Sequence, residues 1–108
     1  MRLIILLLSL FLITTLFASA DYQISGTVRS AADSTRLAGA NIYLSETAIG
    51  TTTDEEGRFR ISGLPAEIFE LNVSYVGYSE YRKTVDLSRG SQELQIFLDQ
   101  QIITGPLV

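Results

Sequence analysis

The sequence predicts an all-β fold, an antiparallel sandwich or barrel, placed after a short export signal. Three observations predict it. Apolar and polar residues alternate with period two in several short runs. Turn signals separate those runs at intervals of about ten residues. No segment after residue 20 carries a convincing helical period.

The first element is the export signal. Met1-Arg2 gives a positive start, Leu3 to Ile13 is a compact apolar run, and Thr14 to Phe17 extends it. Ala18-Ser19-Ala20 then places small residues where a signal peptidase reads them, and Asp21 follows at once. Leu3 to Ala20 is just long enough to span a bilayer, so a retained anchor is the competing reading. The small-residue site at Ala18 and Ala20 favours cleavage after Ala20, which also removes Arg2 and makes the chain one charge more negative. No cysteine follows the apolar run, so a lipid anchor is excluded.

The strands follow in order. Tyr22 to Arg29 places Ile24 and Val28 on one face, with Gln23, Ser25 and Thr27 on the other. Ala40 to Glu46 turns Ala40, Ile42 and Leu44 inward. Ile49 to Thr53 and Arg58 to Ser62 form the next pair, with Phe59 and Ile61 inward. Phe69 to Val76 presents Phe69, Leu71, Val73 and Tyr75 to the core. Tyr81 to Leu87 presents Val85 and Leu87, and Glu93 to Leu98 presents Leu94, Ile96 and Leu98. Each run has one buried face, as a half-buried strand requires. Ser30 to Gly39 reads as a polar loop. The expected organisation is a signal at 1–20, one β domain at 21–99, and a tail or linker start at 100–108.

Composition excludes several chemistries. The 108-residue chain has no Cys and no His, and its net charge is -4. Disulfides, Cys/His zinc sites and haem held by those residues are out. So is every nucleophile–His arrangement, because no imidazole can act as base. With eight basic residues and no basic run, a nucleic-acid footprint is absent too.

The richest motif is Thr53 to Phe59, "TDEEGRF". Asp54, Glu55 and Glu56 are consecutive, so neighbours point apart, whereas a calcium loop needs acidic ligands at alternate positions. A general acid/base pair needs a cleft that perturbs two facing carboxylates, and a hairpin tip offers none. Asp-x-x-Gly fails as a GTPase motif because no phosphate loop is present. The structural reading fits better. Asp54 accepts backbone N–H bonds two residues on, Gly57 takes a positive φ, and Phe59 starts the returning strand toward the core. No catalytic, cofactor or metal residue is assigned.

Three other features stand beside bland readings. Asn72-Val73-Ser74 matches a glycosylation sequon but lies in a strand. Tyr43, Tyr78, Tyr81 and Phe97 would have to be coplanar, with converging polar groups, to hold a glycan. Lys83, the only lysine, has no identified serine partner for a Ser–Lys pair.

Taken together, Gly26-Thr27-Val28, Leu37 to Leu44, Gly50 to Ile61, Leu64-Pro65 and Tyr75 to Tyr78 resemble the carboxypeptidase regulatory-like domain over Tyr22 to Leu98. The resemblance implies a seven-stranded antiparallel transthyretin-like sandwich. In Bacteroidetes-type bacteria it also implies a module behind a signal peptide, at the N-terminus of SusC-like TonB-dependent outer-membrane receptors. Such a module is not an enzyme and takes no cofactor. It is exported, to the periplasm or the outer membrane, and its expected partners are the receptor plug or the energy-coupling protein. Edge strands of a small sandwich can pair with an extended segment of such a partner. Ile102 to Gly105 is similar to the segment that leads toward a plug, so the chain reads as the front of a receptor or as a domain standing alone. The sequence holds no barrel strands, and transport is not assigned to it. Two alternatives remain: a surface module for a glycan or a protein partner, and an accessory domain of a secreted peptidase.

Overall fold

The computed structural model describes residues 21–102; residues 1–20, where the sequence leads one to expect an export signal, and residues 103–108 lie outside them. Seven strands form two packed sheets: β1 (Tyr22–Ser30), β2 (Asn41–Leu44), β3 (Gly50–Thr52), β4 (Arg58–Leu64), β5 (Ile68–Ser74), β6 (Tyr81–Asp86) and β7 (Gln92–Leu98). The three-stranded sheet has the order β4-β1-β7, and the four-stranded sheet has the order β3-β2-β5-β6.

Four of the five pairings are antiparallel, and the fifth, β1 with β7, is parallel. Period-two alternation reports which face is buried and is blind to strand direction, so the parallel pair is not visible in the sequence. Apart from Tyr75, the residues expected to face inward do so. Ile24, Val28, Ile42, Leu44, Leu71, Val73, Leu87, Ile96 and Leu98 are all at most 1% exposed. Each such side chain contributes about 1.5–3 kcal/mol on burial, and together they supply the cohesion that disulfides would otherwise give.

Local departures have local causes. β4 carries a register shift against β1 between Tyr22 and Ile24. It changes the parity of β4, so that Leu64 as well as Phe59 and Ile61 reaches the core. Tyr75, expected inward on the fifth strand, lies one residue beyond its end; it is half-buried and meets Tyr78 edge to face at 5.6 Å. Leu37, inside the polar loop, is buried and closes one end of the core.

Candidate functional site

The acidic turn joins the two sheets and is not the hairpin tip expected from the sequence, because β3 and β4 do not pair. β3 belongs to the four-stranded sheet and β4 to the three-stranded one, so residues 53–57 must carry the chain across the sandwich. Asp54 Oδ1 accepts the N–H of Glu56 and of Arg58, both at 2.9 Å. Asp54 N–H donates to the Arg58 carbonyl at 2.9 Å, and Gly57 N–H to the Asp54 carbonyl at 3.0 Å. Gly57 has φ = +73°. Its carbonyl accepts Val28 N–H at 2.8 Å, which ties the turn to the central strand β1. Phe59 is buried as β4 begins. Asp54, Glu55 and Glu56 are exposed. Arg58 and Glu56 pair at 3.0 Å with both side chains more than half exposed, a geometry of little net worth.

This environment sets the electrostatics. The Arg58 backbone N–H holds the Asp54 carboxyl below its usual range, opposed by desolvation and helped by the Glu56 N–H and the Arg58 charge. A general acid working near neutral pH needs the opposite shift. Among the described residues, no group of three or more acidic side chains is arranged to hold a metal ion. Beside the turn lies an open depression of about 500 Å³, floored by Ser25 and Thr27 and flanked by Asp54, Arg58, Arg60 and Glu93.

Thr53, which sequence reasoning passed over, anchors the turn from inside. It is 5% exposed. Its hydroxyl donates to the Leu37 carbonyl at 2.6 Å and accepts Ala40 N–H at 2.9 Å. Its backbone exchanges bonds with Gly39 and Ala40, each at 3.0 Å. Two further Asx turns also escaped the sequence reading. Asp33 Oδ1 accepts Thr35 N–H at 3.0 Å, and Asp86 Oδ1 accepts Ser88 N–H at 2.9 Å. An Asp followed two residues later by Ser or Thr near a strand boundary is the signal that could have found them.

The remaining sequence candidates are dispersed. Tyr43 lies on the outer face of the four-stranded sheet and donates its hydroxyl to Glu80 at 3.0 Å. Phe97 lies on the outer face of the other sheet, while Tyr78 and Tyr81 pack against the core. The four rings form no common outer platform, since Tyr43 and Phe97 lie on different sheets. Asn72 is 2% exposed and its amide donates to Ser45 Oγ at 2.7 Å, so the sequon is closed in the folded chain. Lys83 sits on β6, exposed at a sheet edge. Ala18 and Ala20 lie outside the described residues.

Comparison with known proteins bears on this arrangement. Residues 24–105 match the family model described as CarboxypepD_reg-like domain. TonB-dependent receptor P39 of Formosa agariphila is 32% identical over 94% of this chain, which spans 10% of that receptor. TonB-dependent receptor P3 of the same organism is 35% identical over 68% of the chain, which spans 7% of that receptor. Among solved structures, catechol 1,2 dioxygenase of Acinetobacter radioresistens superposes with a TM-score of 0.65 at 10% identity, over 82% of this chain and 55% of the dioxygenase. At that identity the likeness is one of fold alone.

Proposed function

The chain belongs to the CarboxypepD_reg-like domain family, and on that premise we propose that it is a non-catalytic, exported module, the periplasmic N-terminal accessory domain of a TonB-dependent outer-membrane receptor. In this reading residues 1–20 are removed after Ala20, and residues 21–99 form the working domain. The observation that carries the reading is the match to two receptors of which the chain spans a tenth or less. The apolar N-terminal run ending in Ala18-Ser19-Ala20 supports export. The acidic turn supports the absence of catalysis, since Asp54 is committed to backbone N–H groups.

The domain then acts on signalling or energy coupling from the periplasmic side and leaves the imported substrate to the rest of the receptor. Deleting the segment equivalent to Tyr22–Leu98 from a full-length receptor tests this. Substrate affinity should stay unchanged while uptake, or growth on the substrate, falls. Loss of substrate affinity, or micromolar binding of a glycan to this chain by calorimetry, would replace the reading with that of a ligand-binding module.

A further inference from the structure

The two sheets expose four edges, and the structure separates one from the other three. β3 is only three residues long. β4 is closed at its start, where Arg58 N–H and C=O both bond to Asp54, and is irregular after Ile61, which leaves only a short free stretch around Arg60. On β6, Leu87 N–H donates to the Glu67 carbonyl at 3.0 Å, so the odd-numbered residues bond β5 and Arg82, Thr84 and Asp86 face outward. That edge is guarded. Gln92 Nε2 donates to the Asp86 carbonyl at 3.3 Å. Lys83 also alternates with buried Val85 on the side that faces the other sheet, and an inward-pointing lysine on an edge strand keeps apolar strands away.

β7 is different. Ala31 N–H donates to the Leu98 carbonyl at 2.8 Å, so Leu94, Ile96 and Leu98 direct their backbone groups to β1. Glu93, Gln95 and Phe97 therefore direct theirs away from it. Among the described residues, β7 pairs with β1 alone, and no loop backbone bond reaches these three residues. The opening ends at Asp99, whose carbonyl accepts Ser79 N–H at 2.8 Å. Phe97 is 45% exposed beside it.

We infer that the β7 edge, from Glu93 to Phe97, takes up an extended segment of a partner protein in which carboxylates alternate with apolar residues. The charges beside this edge select that chemistry. A strand laid on β7 turns one row of side chains into the groove between β6 and β7, a space of about 280 Å³ lined by Lys83, Val85, Asp86, Arg89, Gln92 and Leu94, where two cations outnumber the one carboxylate. The ion pairs among the described residues are Arg58–Glu56 and Arg82–Glu80, which leaves Lys83 and Arg89 with no carboxylate within 4.0 Å. Carboxylates in the inward row would meet them. The outward row would pass Phe97, where an apolar side chain gains burial. Lys83 thus repels an apolar strand from β6 and receives an acidic one on β7. The inference rests on the reading of the domain as a docking module and adds the edge and the partner's chemistry.

The test uses the 108-residue chain expressed in an exporting host and isotope-labelled for NMR. The probe is a capped peptide of about seven residues alternating aspartate and valine, long enough to cover the open edge at about 3.3 Å per residue. The expected result is slowed amide exchange at Glu93, Gln95 and Phe97. Lys83→Glu combined with Arg89→Glu should weaken binding at least about tenfold, as loss of the only inward cations requires. Two peptide versions, N-methylated on opposite alternate residues, need no protein variant. One should bind and the other should not, because only one row of amides faces β7. Protection at Arg82 and Thr84 instead, equal binding of an alternating lysine–valine peptide, or no binding at millimolar peptide would overturn the inference. None of these outcomes touches the receptor-deletion result, so the two readings fail separately.

Discussion

Replacing Gly57 by alanine separates two costs that usually arrive together. Gly57 has φ = +73°, and Gly39 has φ = +79°. An added Cβ is strained by the backbone at both positions, by roughly 1–2 kcal/mol. Stiffening of the unfolded chain returns about 0.4–1 kcal/mol in each case. The surroundings differ. At Gly39 a Cβ meets nothing within 4 Å. At Gly57 it would stand 2.8 Å from the Val28 carbonyl oxygen, 3.2 Å from Leu37 N and 3.3 Å from Arg36 Cβ. The first of these is backbone of the central strand and cannot swing aside. Relief requires moving the turn away from β1, which stretches the 2.8 Å bond from Val28 N–H to the Gly57 carbonyl. Overpacking costs about 1–3 kcal/mol, and a lost hydrogen bond adds about 1 kcal/mol. Gly39→Ala should therefore cost about 1 kcal/mol and Gly57→Ala about 3 kcal/mol. Urea unfolding reads the difference as a shift in midpoint at constant slope. Equal midpoints for the two variants would refute the claim that the turn is wedged against β1.

The other stability predictions follow from side-chain bonds. Thr53→Val keeps the shape but strands Ala40 N–H and the Leu37 carbonyl, both bonded by the hydroxyl; it should cost about 2 kcal/mol, and Thr53→Ser clearly less, by urea unfolding. The Asp33, Asp54 and Asp86 carboxyls are all held below the ordinary 3.8, chiefly by bonds from Thr35, Arg58 and Ser88 respectively. Because the folded values are the lower ones, their stabilisation is whole above the ordinary value and drains away as pH falls through the folded values. Melting temperature followed from about pH 6 to pH 2 should fall on that acid limb, and Asp54→Ala should make the fall shallower; an unchanged limb would count against the turn bonds.

Much of the fold was legible because burial writes itself into period two. Ile42 and Leu44, or Leu94, Ile96 and Leu98, can face a core only if the residues between them face out. What alternation could not carry was partnership. Nothing in Gln92 to Leu98 says that its neighbour is β1, some 70 residues earlier, or that the two run parallel. Parity also fails wherever a bulge resets it, as in β4, and wherever a core residue comes from a loop, as Leu37 does. Thr53 was illegible for a related reason. Within "GTTTDEEG" three threonines look alike, and only the third is carried by the crossing between sheets into bonding distance of Leu37 and Ala40.

The same limit explains why the aromatic residues suggested a platform in one dimension and form none in three. Tyr43 and Phe97 each occupy an outward position, but on different sheets, so the sandwich turns them back to back. With no His or Cys, and with its most specific motif spent on a turn, the chain has few reactive side chains to offer. Its unspent chemical resource is backbone. Among the described residues, three N–H and C=O pairs on β7 stay open, while the start of β4 is bonded off by Asp54 and β6 is screened by Lys83. A free ladder gives affinity without sequence, and the flanking charges of Lys83 and Arg89 then supply the selection. A module built this way can recognise an extended acidic segment while its core and turns remain purely structural.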